Sequence, residues 1–511
     1  MALDVAVVGG GHNGLTCAAY LARAGLDVVV LEARPSVGGC ASTVDALGAR
    51  VNACNCDHLA VRSTPILEEL RLADHGLRYL DVEPAQVALA WSEGRPWALW
   101  HEVDRTIDGL RETHPQEVAG YRRYVADAIP VARLVLELAL GPPTRARLAR
   151  AAARSPVAAR RLVTWARSSA EAVLRRYFTS DDLVGPACVT GPVLWGVSPS
   201  LPGTGRGALS YAVRHVVRTG RPVGGSGSLP AALAAAVEAA GGVVRTGAIV
   251  DAIPVGEDRV RGVALTGGEL VEARAVVVAC DPRRALVEWL REPPPGAVRL
   301  LARWRRVPVG EGYQSKVDAL VASRPRLAPP PRVGADAALV PTTIVSPGAG
   351  GLDAAWRAMA EGRVAERPPL MVNVPSVLDE TMRPARGGDV FSLEALFTPW
   401  KLAGGWDGSA EPERWLRAYA ELLEPGFLEG VGPSRAVTPV DWEREFRMER
   451  GHALGFGATP LALLLGRDPE LTRYETPVAG LFLTGAATYP GASIWGASGR
   501  NAAAVVARRL A

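Results

Sequence analysis

Val5-Ala6-Val7-Val8-Gly9-Gly10-Gly11-His12-Asn13-Gly14-Leu15 opens the chain with an apolar run, a glycine cluster and the start of a second apolar run. Val5 to Val8 predict a buried strand. Leu15 to Ala24 predict a helix stopped by Gly25, and Val28 to Leu31 a second strand with Glu32 at its end. Together they make one βαβ unit with the spacing G-x-G-x-x-G at Gly9, Gly11 and Gly14. The three glycines serve different ends. Gly9 permits the tight turn, Gly11 lets the backbone approach a pyrophosphate, and Gly14 lets helix and strand pack closely. The helix N-terminus offers N–H donors and positive potential to phosphates. Glu32 follows Gly14 by 18 positions, where a carboxylate accepts hydrogen bonds from a ribose diol and repels a 2′-phosphate. With 55 glycines in 511 residues the motif alone is weak, and Gly203, Gly205 and Ala208 match its looser form. No apolar strand precedes that second match, so the first is the nucleotide site.

Ala33-Arg34-Pro35-Ser36-Val37-Gly38-Gly39 extends the fingerprint and resembles the signature of glutathione-reductase-like flavoproteins, whose chain passes close to an extended FAD. At the other end, Leu481 to Gly485 predict a strand ending in a glycine turn, followed by Tyr489-Pro490-Gly491 and a helix from Gly496 to Leu510. A helix N-terminus aimed at a flavin ring stabilises negative charge developing there. The expected FAD contacts are Gly9, Gly11, His12, Asn13, Gly14, Glu32, Ala33, Arg34, Gly38, Gly39, Cys40, Ala41 and Ser42 from the first segment. Ile249 and Val250 come from the middle, and Gly485, Ala486, Pro490, Gly491, Ile494, Trp495, Gly496 and Ala497 from the end. No covalent link through Cys40 is expected. There is no second strand–glycine-loop–helix unit and no Cys-x-x-Cys pair, so the expected electron acceptor is oxygen or a quinone, with an imported electron carrier also open.

Between the ends, Gly224 to Pro230 open a helix through Ala240, and Val243 to Arg245, Ala248 to Ile253, Val260 to Leu265 and Ala275 to Ala279 predict strands. The predicted fold is α/β: a discontinuous Rossmann-type FAD domain built from 1–90, 221–288 and 466–511, with an α+β substrate domain built from 91–220, mainly helical, and 289–465.

The formal charge of +4 supplies no strong field for nucleic acid. Six cysteines without metal-ligand spacing predict no metal site and suit a reducing, cytoplasmic setting. Met1-Ala2-Leu3-Asp4 lacks a positive leader region, and no apolar run is long enough to span a bilayer. The stretch 145–176 carries nine arginines against Glu171 alone, with Pro156 splitting it into two helices. A solvated lid face is the favoured reading; peripheral contact with an anionic membrane at its inner face stays open. The oligomeric state is not legible.

The chain resembles the phytoene-desaturase-like flavoproteins, closest to the branch typified by pyridine nucleotide-disulphide oxidoreductase domain-containing protein 2. The resemblance is carried by Val7 to Leu15, Glu32 to Gly39, Ser198-Pro199 with Pro202-Gly203-Thr204, Gly224 to Leu229, and Gly485 to Asn501. It implies a two-domain flavoprotein that carries out desaturation, isomerisation or a related oxidation of a largely apolar substrate, a polyene, isoprenoid or other hydrophobic intermediate; the expected reaction is desaturation, with flavin N5 as hydride acceptor. The chain departs from the branch at Ser226, where Met is usual, and at Arg450-Gly451-His452-Ala453-Leu454-Gly455. In the cluster Asn55-Cys56-Asp57-His58, Asp57 or His58 is a candidate base, and His452 is a further candidate. Tyr489 and Trp495 are candidates for the substrate-side wall. Two alternatives stand beside desaturation: a flavin amine or amino-acid oxidase, and a non-enzymatic lipid-binding protein of the GDP-dissociation-inhibitor kind.

Overall fold

A computed structural model describes residues 2–54, 56–91, 95–452 and 468–511. Asn55, Ala453, Leu454 and Gly455, named above, lie outside the described residues.

The nucleotide-binding half is built on parallel strands in the order Val243–Arg245, Val28–Leu31, Leu3–Val8, Leu270–Val278, Leu481–Leu483. The four central positions Val5 to Val8 are at most 3% exposed, as expected for parallel strands covered on both faces. Each such valine contributes roughly 1.5–3 kcal/mol by leaving water. The strand Leu270–Val278 serves two sheets: its second half pairs with Leu3–Val8, and its first half runs antiparallel to Gly262–Leu265. The helix His12–Arg23 packs between Ser228–Ala239 and the last helix, Ala497–Leu510.

The second half is a seven-stranded sheet in the order Val431–Val437, Tyr313–Val321, Asp389–Thr398, Leu370–Asn373, Thr342–Ser346, Gln86–Ala90, Trp97–Leu99. One face buries Val87, Val317, Val345, Phe391 and Leu393 against Trp415 and Tyr419 of the helix Glu411–Ala420. The other places Ala88, Ile344, Met371 and Leu396 beneath an aromatic cluster of Tyr121, Tyr124, Phe178 and Tyr211.

Two expected borders move. Gln86–Ala90, assigned above to the nucleotide half, pairs in parallel with Thr342–Ser346 in the other sheet. A short apolar run carries no periodicity that says which sheet it joins. The border at 288 also moves, because Leu290–Arg291 pairs with Val250–Gly256 and the helix Val298–Trp304 buries Leu300, Leu301 and Trp304 in the nucleotide-half core. The segment 91–220 is mainly helical but includes the strand Trp97–Leu99. The basic stretch forms Arg145–Arg154 and Pro156–Arg167, broken at Ser155 before the proline, then the short helix Ala170–Leu174. No helix among the described residues is long and apolar enough to cross a membrane.

Candidate cofactor and substrate site

The glycine loop meets the demands placed on it. Gly9 has φ +106°, which L side chains rarely adopt. A Cβ at Gly14 would press into the carbonyl oxygen of Gly9, so helix and strand approach too closely for any side chain. A Cβ at Gly11 would meet nothing within 4 Å, so the loop backbone faces open space there. The helix behind it has no acidic residue in its first turn to compete for its N–H groups. Asn13 Oδ1 is buried without a hydrogen-bond partner, and an unpaired polar atom of this kind calls for a ligand or water.

Glu32 is 8% exposed; Oε2 accepts from the Gly10 N–H at 2.7 Å and Oε1 from the Arg34 N–H at 2.9 Å. Each oxygen keeps further acceptor capacity for a ribose hydroxyl. The Ala248 N–H donates to the Glu32 carbonyl at 2.8 Å, which brings Ile249 and Val250 beside this end of the loop. The second glycine pair docks on the first through Gly38 N–H to Gly10 O at 2.8 Å. Cys40, the buried Ala41 and Ser42 follow directly. Arg34 donates to Ser42 Oγ at 3.1 Å and lies 4.2 Å from the centre of the Phe446 ring. Burial lowers its pKa, opposed by the Glu32 charge, and it has no ion pair among the described residues, which suits a diphosphate.

The C-terminal piece closes on the same loop. Gly485 (φ +104°) turns the chain after Leu481–Leu483 and leads into Ala486. Thr484, Thr488 and Ser498 form a fully buried hydroxyl cluster whose Ser498 Oγ accepts from the Gly485 N–H at 3.0 Å. A Cβ at Gly499 would run into the backbone oxygen of Asn13. Between Pro490-Gly491 and Gly496-Ala497 the chain passes His12, whose Nε2 lies 3.2 Å from Ser493 O. Burial takes the His12 pKa down to about 4, so it is neutral. Ile494 packs on the core of the nucleotide half. These features fit an FAD: Glu32 would hold the ribose, the Gly9–Gly14 loop and Arg34 the diphosphate, and the start of Ala497–Leu510 the flavin end.

The candidate bases are differently placed. His58 is fully buried, with Nδ1 at 2.8 Å from Tyr79 Oη and Nε2 at 2.8 Å from Ser226 Oγ. Burial lowers its pKa to about 3. Asp57 pairs with Arg221 at 2.6 Å and accepts from Thr342 Oγ1. Asp57 thereby ties the two halves together, while His58 joins two pieces of the nucleotide half. The expectation that one of them is a poised base finds no support in this geometry, since their polar atoms are engaged with protein. His452 packs beside Gly196 and Gly310, with its pKa lowered by burial.

The sequence reading missed a polar face on the substrate-domain sheet. Asp318 stands opposite Ser392, Ser392 opposite Asn373, and Thr342 beside Gln86, all at most 5% exposed. One step along, Lys316 faces Glu394 across the strands; it donates to Asp318 at 2.8 Å and to the Asn52 carbonyl. Glu394 Oε1 has no partner, and burial, reinforced by Cys54 and opposed by Lys316, pushes its pKa up to about 8. The available signal was the alternation of Lys316 and Asp318 with Val317 and Ala319, charges at period two in an otherwise apolar strand.

Tyr489 and Trp495 line a narrow pocket with Val135, Leu138, Pro143, Leu148, Leu162, Pro490 and Arg206. The fold and the glycine loops thus define a flavin-dinucleotide-binding oxidoreductase architecture. Residues 7–64 match the family model of the NAD(P)-binding Rossmann-like domain, and 63–312 that of flavin containing amine oxidoreductase. The rat pyridine nucleotide-disulfide oxidoreductase domain-containing protein 2 is 28% identical, over 99% of this chain and 94% of its own length. The zeta-carotene-forming phytoene desaturase of Myxococcus xanthus is 26% identical, over 96% of this chain and 90% of its own. Among solved structures, cyclohexylamine oxidase from Brevibacterium oxydans shares the fold at a TM-score of 0.61 with 16% identity, covering 100% of both chains. These matches fit a phytoene desaturase-like FAD-dependent oxidoreductase. The chain is an enzyme of the wider amine oxidase and phytoene desaturase superfamily, which sets aside the non-enzymatic lipid-binding alternative.

Proposed function

We propose that the chain dehydrogenates a largely apolar substrate, converting a C–C bond to C=C, with oxygen or a quinone as the final electron acceptor. One observation carries the choice over amine oxidation. The pocket against Tyr489 and Trp495, with only about 20 Å³ of free space as it stands, is walled by Val135, Leu138, Leu148 and Leu162, and among the described residues the one charged group lining it is the cation Arg206. A protonated amine entering there loses its water and meets a like charge, both unfavourable. An apolar chain loses only its hydration, which is the favourable direction.

Bound FAD supplies the hydride-accepting chemistry. The protein holds the substrate and excludes water through the aliphatic wall. The proton that leaves with a desaturation needs an acceptor, and Glu394 is the candidate: buried, with one oxygen unpartnered and a pKa near neutrality. In this role it acts when ionised, so the rate rises as pH passes about 8. The test is anaerobic mixing of the purified holoenzyme with polyenes, isoprenoids and small amines while following the flavin band. Bleaching by isoprenoids is expected; bleaching by amines alone overturns the proposal.

A further inference from the structure

We propose that Arg206 receives an anionic head group, so that the substrate is an amphiphile: an isoprenoid or acyl chain ending in a carboxylate or phosphate. This rests on the apolar-substrate reading above and narrows it.

Arg206 is held in place by its backbone. It lies in the turn Gly205–Leu209, between two glycines with no room for side chains. A Cβ at Gly205 would press on the Trp165 carbonyl, and one at Gly207 would approach Pro192 Cδ to 2.5 Å. The guanidinium therefore cannot move to find a partner by shifting the turn. It lies 5.1 Å from the centre of the Trp195 ring and donates weakly, at 3.4 Å, to the Pro490 carbonyl. The rest of its surroundings are Tyr489, Trp495 and the aliphatic wall.

Several other buried or half-buried arginines have counterions, although Arg34 and Arg214, like Arg206, have no ion pair among the described residues. Arg221 pairs with Asp57, Arg435 with Asp318 and Arg500 with Glu69. Arg206 has no carboxylate among the described residues, and the segment 453–467 carries no Asp or Glu in its sequence. Burial accordingly lowers its pKa, opposed only by Tyr489. A guanidinium in an apolar pocket is costly unless something anionic joins it. With one nitrogen turned to Pro490, its planar fork retains N–H groups for two oxygens of a carboxylate or phosphate.

The position relates this head-group site to the flavin end. Arg206 meets the loop 489–495 at the Pro490 carbonyl, and His12 of the glycine loop meets it three residues on, at the Ser493 carbonyl. The pocket holds only about 20 Å³, so a chain bound by its head needs the aliphatic wall, Leu148 and Leu162 included, to give way. Those two leucines sit on the basic helices Arg145–Arg154 and Pro156–Arg167, which present Arg150, Arg154, Arg160 and Arg167 to solvent. That outer charge draws anions towards the pocket.

The test uses one chain with four heads: geranate, geranyl phosphate, geraniol and geranylamine, titrated into the holoenzyme while the flavin spectrum is followed. The expected result is that at least one anion binds about 10- to 100-fold tighter than geraniol. That advantage should vanish in Arg206→Gln with flavin content unchanged, and survive in part in Arg206→Lys. The stronger of the two anions names the head group. Equal binding of anions and geraniol overturns the inference while leaving the apolar-substrate reading intact. Loss of flavin from Arg206→Gln together with Arg206→Lys also overturns it, because Arg206 is then a cofactor residue. If geranylamine alone binds and bleaches the flavin, the apolar-substrate reading fails as well.

Discussion

The glycine loop after Val8 and the polar face of the seven-stranded sheet are held by different physics. The loop is shaped mainly by contacts near in sequence, Gly14 against the Gly9 carbonyl and Glu32 against the Gly10 N–H, and is closed from the far end of the chain by Gly499 against Asn13. The polar face joins residues hundreds of positions apart, such as Thr342 to Asp57 and Lys316 to Asn52. In the first region, shape excludes alternatives. In the second, charges are buried and must satisfy one another. A substitution therefore acts through sterics in one and through desolvation in the other.

The largest expected effect on flavin content comes from adding a single carbon to the first region. Gly14→Ala places a Cβ against backbone that has no flexible end to move, and Gly499→Ala does the same against Asn13. Overpacking of this kind costs about 1–3 kcal/mol, and more where backbone is hit. Both variants should be recovered without flavin or not at all, as read by the absorbance ratio at 450 and 280 nm. A yellow, fully loaded Gly14→Ala protein is incompatible with the packing described.

Next is Asp57→Asn, which strips the counterion from Arg221, a side chain 2% exposed. Breaking a buried pair on one side costs about 3–5 kcal/mol. Denaturant melts should show this loss in the variant. If Asp57 were instead the base, turnover would collapse with stability unchanged, and the account of the polar face would be wrong.

A third effect sharpens the contrast through pH. The Glu394 carboxyl titrates at about 8 in the fold against an ordinary 4.5. The unfolded chain ionises above 4.5 while the folded chain does not. Its contribution is therefore complete below 4.5 and is lost as pH rises through about 8. Glu394→Gln should remove that loss, so the variant gains melting temperature on wild type between pH 5 and pH 8. Parallel pH slopes for the two proteins would show that Glu394 titrates normally.

How far each region could be read in advance follows from the same distinction. The βαβ unit, Glu32 and the terminal glycine turn lie within short windows, where spacing encodes geometry directly. The identity of the dinucleotide needed both ends of the chain together. Asp57 and His58 were legible as a cluster of titratable groups, but their engagement by Arg221, Thr342, Tyr79 and Ser226 depends on pairing no local pattern shows. Arg206 was hidden for a related reason. An arginine in a glycine-rich turn reads as solvated until the fold closes Leu148, Leu162 and Trp495 around it.

The smallest effect belongs to Glu32→Gln, and it measures how much of the local region is charge rather than shape. The amide oxygen of Gln can still accept the Gly10 N–H, and the glycine geometry is untouched. What is lost is the difference between a charged and a neutral acceptor towards the ribose hydroxyls, about 1 kcal/mol per hydrogen bond. FAD affinity should fall by about 5- to 30-fold in a titration of the apoprotein, with the melting curve of the apoprotein nearly unchanged. If FAD affinity is unaffected, the carboxylate serves only to hold Gly10 and Arg34, and ribose recognition lies elsewhere on the loop. If the apoprotein itself melts early, Glu32 behaves like the buried charges of the sheet, and the two regions differ less than their contacts suggest.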